Sequence, residues 1–469
     1  MHYRTIAIGV LCLIATTTIA ARAQNLIVTF QDGQKLPAKQ LNSVQNGVVS
    51  VENGTSRGQL LTNPTLSGAR ITTAPSDKPG ATGAAVPSTA WVDAYYTPLS
   101  YVVASSVTKT MCATSCDFTS ILDFGRWVGK VVIIGDATIT LAISTGTYPA
   151  SGSYPNVVDM SGPNWSRVRI LGNSAANTVL NFNNLANNNY SAFYAHDGAA
   201  LAFINHITIN GIGARTGTHT WADLSAGSAF LAQGNSSIHA GADVIVNDYY
   251  YDVTADVGGE FLGDAGFTGN RAGDANFLAR HGGKIHCEGC IANDAGDAPN
   301  GLGFNFLAES DGAVWADGST ATAGLVGGFS ASAGGSAWYH SVTVSGSGGP
   351  GLFAFLGGIM FIDKATSTAN AIGMEAATGG RISGGTVMLS GNAGDGVLLD
   401  HGWFEGSAVT SKNNGGYGFR VIDGSFGRFF SSASASTGNT SGLSYVDPGS
   451  ACTSTSAMNC DVGSSIVIN

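Results

Sequence analysis

Residues 350–415 decide the fold. They read PGLFAFLGGIMFIDKATSTAN (350–370), AIGMEAATGGRISGGTVMLSGNAG (371–394) and DGVLLDHGWFEGSAVTSKNNG (395–415). Each copy has a short alternating apolar strand, a Gly-centred turn, a second alternating strand, and a small-residue stretch ending in Asn or Gly. The pattern extends from Gly301 to Tyr445, and the turn glycines Gly312, Gly334, Gly357, Gly379, Gly402 and Gly424 mark it every 22 or 23 residues. A fixed period of this length is the signature of a solenoid.

The strands decide which solenoid. A helical repeat needs apolar residues at i, i+3 and i+4 over ten or more positions. Here the apolar runs are short, alternate as in Val397 and Leu399, and are cut by Gly and Ser. Glycine at this density would cost a helix roughly 1 kcal/mol per site. The expectation is an all-β chain, a parallel β-helix with one coil per repeat. Equivalent residues then stack at about 4.8 Å. Two ladders follow. Trp315, Trp338, Phe361, Phe404 and Phe426 read as an inward core stack, the alternative being an outward platform for sugar rings. Asn370, Asn392, Asn414 and Asn439 read as a hydrogen-bonded Asn ladder.

Of 469 residues, 11% are charged and 66 are Gly, with a net charge of −10. There is no G-X-Y period for collagen and no basic patch, so nucleic acid is not expected as a partner. Arg4, the apolar run Ile6 to Ile19 and Ala21-Arg22-Ala23 read as a signal peptide over residues 1–23. That implies a secreted protein, extracellular or periplasmic, and no later stretch is apolar enough to span a membrane. Six cysteines follow in three close pairs, Cys112/Cys116, Cys287/Cys290 and Cys452/Cys460. Export favours disulfides within each pair over a zinc set of His281, His286, Cys287 and Cys290.

Residues 24–111 read as a stalk or linker, rich in Pro, Gly and Thr in its second half. NPTLSG, TAPS and PSTAWVDAYY, within Asn63–Tyr96, resemble the stalk of phage tail fibres. That resemblance implies a fibrous attachment region and a homotrimer. Phe118, Ile121, Leu122 and Val128 share one helical face after Asp117 or Thr119 as N-cap, and Gly129 stops the helix. This short helix would cap the open end of the β-helix. Then ATITLAISTGTYPA and SRVRILGNSAANTVLNF resemble the first coils of the pectin-lyase-like right-handed β-helix superfamily, which includes pectate lyases, polygalacturonases and phage tailspikes. The resemblance covers roughly 112–446, and residues 447–469 read as a C-terminal cap or tail. It speaks to fold, because one such fold hosts many functions.

Between 211 and 225, and between 247 and 273, the register breaks. These read as inserts holding Trp221, Tyr249, Tyr250 and Tyr251, with the carboxylates Asp248, Asp252, Asp256, Glu260 and Asp264. Insertions in solenoids gather on one face, often the binding face. Trp221 and the three tyrosines are therefore the expected sugar-binding residues. Asp252, Asp256 and Glu260 are the candidate catalytic carboxylates, since glycoside hydrolysis needs a pair. Asp248, Asp252 and Asp256 are the candidate Ca²⁺ ligands, and no other cofactor is expected. Asp197, His281, Asp311, His401 and Asp423 read instead as turn residues. Two functions stay open: a β-helix that binds polysaccharide or cell-surface glycan, or serves structurally, like a tail fibre; and a secreted polysaccharide lyase or glycoside hydrolase.

Overall fold

The computed structural model describes residues 48–53, 56–62, 101–149, 158–182, 191–211, 215–217, 220–221, 227–430 and 435–454. The signal-peptide region and the stalk-like Asn63–Tyr96 lie outside them, as does Cys460. Two compact units divide the chain, Met1–Tyr96 and Thr97–Asn469. In the first, Val48–Asn53 pairs with Ser56–Thr62 as an antiparallel hairpin.

The second unit is a parallel β-helix. Three long sheets run its length, and the chain visits them in rotation. Sheet A has 14 strands, from Val107–Met111 to Ala451–Ser454. Sheet B has 12, from Gly146–Pro149 to Ala435–Thr437. Sheet C has 12, from Val158–Ser161 to Gly442–Val446. From Gly301 to Tyr445 each strand pairs in parallel with its equivalent in the next coil, as the repeat predicts.

Each coil has three strands rather than two. The small-residue stretches are the third: Thr320–Thr322, Thr343–Ser345 and Ala365–Thr368 belong to sheet B. Their apolar inward residue is often only Ala or Val, as with Ala321 and Val344.

The turn between sheets C and A explains the glycine spacing. Leu356 and Gly357 both have positive φ, +50° and +79°. A Cβ on the next residue, Gly358, would sit 2.2 Å from the Ala331 carbonyl oxygen of the neighbouring coil. Glycine thus suits two adjacent positions of this turn for two different reasons. Gly312 and Gly402 occupy the second position, while Gly334, Gly357, Gly379 and Gly424 occupy the first. Asp197, His281, Asp311, His401 and Asp423 all have positive φ, so the turn reading of those residues stands.

Helix α1, Ile121–Val128, is the short N-terminal helix expected. Its N-cap is Ser120 rather than Asp117 or Thr119, with the Ser120 hydroxyl accepting from the Leu122 N–H at 3.1 Å. Asp117 is engaged elsewhere, by Lys109 Nζ and the Thr110 N–H, both at 2.8 Å. Ile121, Leu122, Phe124 and Val128 face the core.

The core is one continuous file. Inward residues of sheet C stack coil on coil as Phe193, Phe230, Val253, Phe277, Phe306 and Phe329. Phe306 lies 4.5 Å from Phe277 and 4.7 Å from Phe329, with rings nearly parallel. The Asn ladder is present: Asn392 Oδ1 accepts from the Asn370 N–H at 3.0 Å, and Asn414 Oδ1 does the same for Asn392. A second Asn ladder, through Asn210, Asn247, Asn270 and Asn293, links earlier coils side chain to side chain. The disulfides Cys112–Cys116 and Cys287–Cys290 are formed, and Cys452 is also disulfide-bonded.

Candidate functional site

The aromatic ladder is not the core stack the repeat alignment implies. Trp315, Trp338 and Phe361 share one outward row of sheet A, which His286 precedes. Phe404 faces inward with Ile382 and Met360, and Phe426 pairs with Trp403 in another outward row. Phe404 stands one residue, and Phe426 two residues, before the position that Phe361 holds in its row, so the repeat aligns rings that do not share a column. One residue of slip moves a side chain to the other face. The outward rings nevertheless make a poor sugar platform. His286–Trp315, Trp315–Trp338 and Trp338–Phe361 stack at 4.4, 4.7 and 5.6 Å, within 13° of parallel. Their faces are spent on one another, which ties coils together.

The expected insert at 247–273 is a regular coil. Tyr251–Asp256, Glu260–Gly263 and Thr268–Asn270 take their places in sheets C, A and B. Its five carboxylates therefore part company. Asp248 is clamped by Arg271, with Nε at 2.8 Å and Nη2 at 2.6 Å. Asp252 is fully buried. Asp256 accepts from Arg280 at 3.2 Å and lies 2.8 Å from His281 Nδ1. Glu260 sits on sheet A near His286, and Asp264 meets His239 at 2.9 Å. Asp248, Asp252 and Asp256 are not among the described residues whose ligand atoms come together as a possible metal set. Among the described residues, Asp400, His401 and Asp423 do bring three ligand atoms within 4.8 Å of one another.

The tyrosines divide too. Tyr249 is 1% exposed and belongs to the core, so it cannot stack on a sugar. Trp221 lies in a small hairpin, Arg215–Gly217 with Thr220–Trp221, within the long connection from sheet B to sheet C. Only its backbone is described.

Tyr250 and Tyr251 do reach a shared site, on the outer face of sheet C. Their rings meet edge to face at 4.7 Å. Asp274 and Tyr251 each perturb the other's titration, and the Arg280 guanidinium lies 5.9 Å from the Tyr251 ring centroid. Beside them Ala275, Leu278, Phe304 and Leu307 form a second buried apolar cluster outside the barrel, packed on by Tyr251, Phe353 and Phe355.

The electrostatics set this face apart. Burial pushes the Asp274 carboxyl up to about 6; Tyr251 and Arg280 oppose this, and Glu309 and Asp297 add to it. Burial pushes Tyr250 up to about 12 and raises Tyr251 further. Further along, Glu375 is pushed up to about 7 by burial and then by Asp400 and Asp395. Shifted groups that share a face mark functional sites more often than chance. Neither Asp274 nor Glu375 was singled out from sequence. Asp274 lies one residue beyond the suspected insert, and the pairing of strands four coils apart is what puts both on one face.

No protein-family model matches the chain, and no curated protein sequence matches it. Solved structures do align. The A-module of mannuronan C-5 epimerase AlgE6 of Azotobacter vinelandii is 12% identical, with a TM-score of 0.35 over 71% of this chain and 81% of that one. The AlgE4 A-module gives 13% and 0.28, over 72% and 83%. ORF18 of Geobacillus virus E2 gives 9% and 0.23, over 68% and 50%. These likenesses carry no argument about chemistry. The fold rests on the chain's own strand pairing.

At the N-terminal end of the same face, His196 Nε2 lies 2.6 Å from Asp159 and Nδ1 2.8 Å from Asp197. Burial opposes its charge, but the hydrogen bonds to the two carboxylates prevail and raise its pKa. A raised histidine stabilises the fold below its unfolded pKa, and that gain is lost as pH rises through the folded value. His196→Gln should therefore lower the thermal midpoint more at mildly acidic pH than at mildly alkaline pH. Equal losses at both would remove the charged pair from the account.

Proposed function

We propose that this is a secreted glycan-binding β-helix and that the outer face of sheet C is its sugar-contacting surface. The observation that carries the reading is the convergence of Tyr250, Tyr251, Asp274 and Arg280 beside an apolar cluster outside the barrel. Tyrosine rings pack against sugar faces, and carboxylates accept from hydroxyls. A solenoid supplies the rigid, repeating surface that suits a repeating polymer. The signal-peptide-like N-terminus and the disulfides support export. The stalk resemblance at Asn63–Tyr96 adds a tail-fibre-like homotrimer to the proposal.

A second reading has one observation behind it. A carboxyl pushed up to about 6 by burial, beside a tyrosine, is suited to proton transfer. A polysaccharide lyase or glycoside hydrolase would use it. A glycan array run beside a product-release assay separates the two. Binding should fall about tenfold or more in Tyr250→Ala and Arg280→Gln, the scale of losing one or two well-placed contacts. Unchanged binding in both removes this face. Steady product release, abolished by Asp274→Asn, hands the case to the enzyme.

A further inference from the structure

The first strand of sheet A, Val107–Met111, is an edge strand, paired in the sheet with Ile139–Ile143 alone. In a parallel ladder alternate residues turn their main-chain groups to opposite sides. The Val107 N–H donates to Thr138 O and Met111 O accepts from the Ser144 N–H, both at 2.9 Å. The odd-numbered residues thus face the next coil, and Thr108 and Thr110 face the open side. Such an edge is a template for a further strand.

The chain covers part of that edge itself. Past Met111 it turns back, and Phe118 forms a parallel bridge with Met111. The Phe118 N–H donates to Thr110 O at 3.0 Å, and the Cys112 N–H donates to Phe118 O at 3.2 Å. Asp117 Oδ2 accepts from the Thr110 N–H at 2.8 Å. One residue and one carboxylate stand in for a missing strand, and the Cys112–Cys116 disulfide closes the loop that carries them. Lys109 is a second obstacle. It sits in the inward row, paired with the buried Leu141, where an apolar side chain is the rule. Its Nζ is held by Asp117 at 2.8 Å and lies 5.7 Å from the Trp127 ring centroid. An inward-pointing charge at an edge discourages further pairing.

We infer that the outer edge of Val107–Met111 is a pairing surface for a second copy of this chain, and that the disulfide-closed loop holds it shut. The occupant follows from what the edge already accepts, which is main chain in strand-like pairing at Phe118. Every copy carries the same edge. Two of them can pair antiparallel across a two-fold, each giving the other the donors and acceptors that the loop now supplies. When the loop leaves, Lys109 also loses Asp117. The two lysines then oppose the contact, and salt screens that repulsion.

The test is light scattering behind gel filtration, on the full mature chain over a concentration series. Wild type should keep one mass at every loading. The double variant Cys112→Ser/Cys116→Ser should associate as loading rises, towards about twice the wild-type mass, the limit of a two-fold contact. Added salt should increase the paired fraction. Thr108→Pro in the double-variant background should restore the wild-type mass. Proline removes an outward N–H from the edge and leaves the bonds to the next coil in place. Asp117→Ala keeps the disulfide but frees the Thr110 N–H and Lys109, so it should pair in the same way and more weakly. If the double variant does not fold, Asp117→Ala alone decides. The wild-type mass at every loading in the deciding variant would overturn the inference. Wild type associating as readily as the variants would show that the loop holds nothing shut. Association that Thr108→Pro leaves unchanged would place the contact on another surface, and the inference would fall with it.

Discussion

Phe306→Ala should cost about 3 to 5 kcal/mol of stability, the range for emptying a buried aromatic site. Phe306 is fully buried and stacked between Phe277 and Phe329 in neighbouring coils. Those coils cannot close on the space, because their backbones are fixed by the strand pairing on either side. The cavity therefore stays open and costs more than the lost surface alone. Trp315→Ala is the informative contrast. Trp315 is the larger ring and also stands between two others, but on the outer face. It should cost about 1 to 3 kcal/mol, the value of two ring contacts. Urea unfolding of both variants against wild type checks the pair. Equal losses, or a larger loss at Trp315, would return the tryptophan row to the core and contradict the assigned register.

The second large effect is expected at Asn392, which is 2% exposed. Its Oδ1 accepts from the Asn370 N–H at 3.0 Å, and its Nδ2 donates to Asn414 Oδ1 at 2.9 Å. Leucine in its place would keep the approximate volume but leave the Asn370 N–H without its acceptor. Each buried group orphaned in this way costs about 1 to 3 kcal/mol. Asn392→Leu should therefore lose about 2 to 5 kcal/mol, counting the donor and acceptor sides. Ser390→Ala, on sheet B two residues earlier, should be nearly silent. A silent Asn392→Leu would mean that the ladder is ornamental and that coil spacing is set by the strands alone.

The repeat made the solenoid legible because each coil restates the same geometric demand. Glycine recurs where the turn needs positive φ and where a Cβ would strike the next coil. Asn recurs where a corner needs a side chain that both donates and accepts. Sheet B was harder to see. Thr320–Thr322 and Ala365–Thr368 are strands with little apolar content, held by neighbours rather than by their own pattern. The facing of Trp315 was lost for a related reason. Two adjacent turn positions both take glycine, so the glycines alone leave the register uncertain by one residue. The site was less legible still. Tyr250 and Tyr251 could be singled out as a cluster, yet Tyr249 in the same run is core. Asp274 and Glu375 carry no local motif and acquire their character from burial and from carboxylates in other coils.

The most direct test of the glycan-binding face is hydroxyl-radical footprinting of the mature protein with and without a bound oligosaccharide. If sheet C is the contact surface, Tyr250, Tyr251 and Phe353 should lose reactivity on binding, while Trp315, Trp338 and Phe361 on sheet A keep theirs. Protection of the sheet A row, with Tyr250 and Tyr251 as reactive as before, would contradict the assignment.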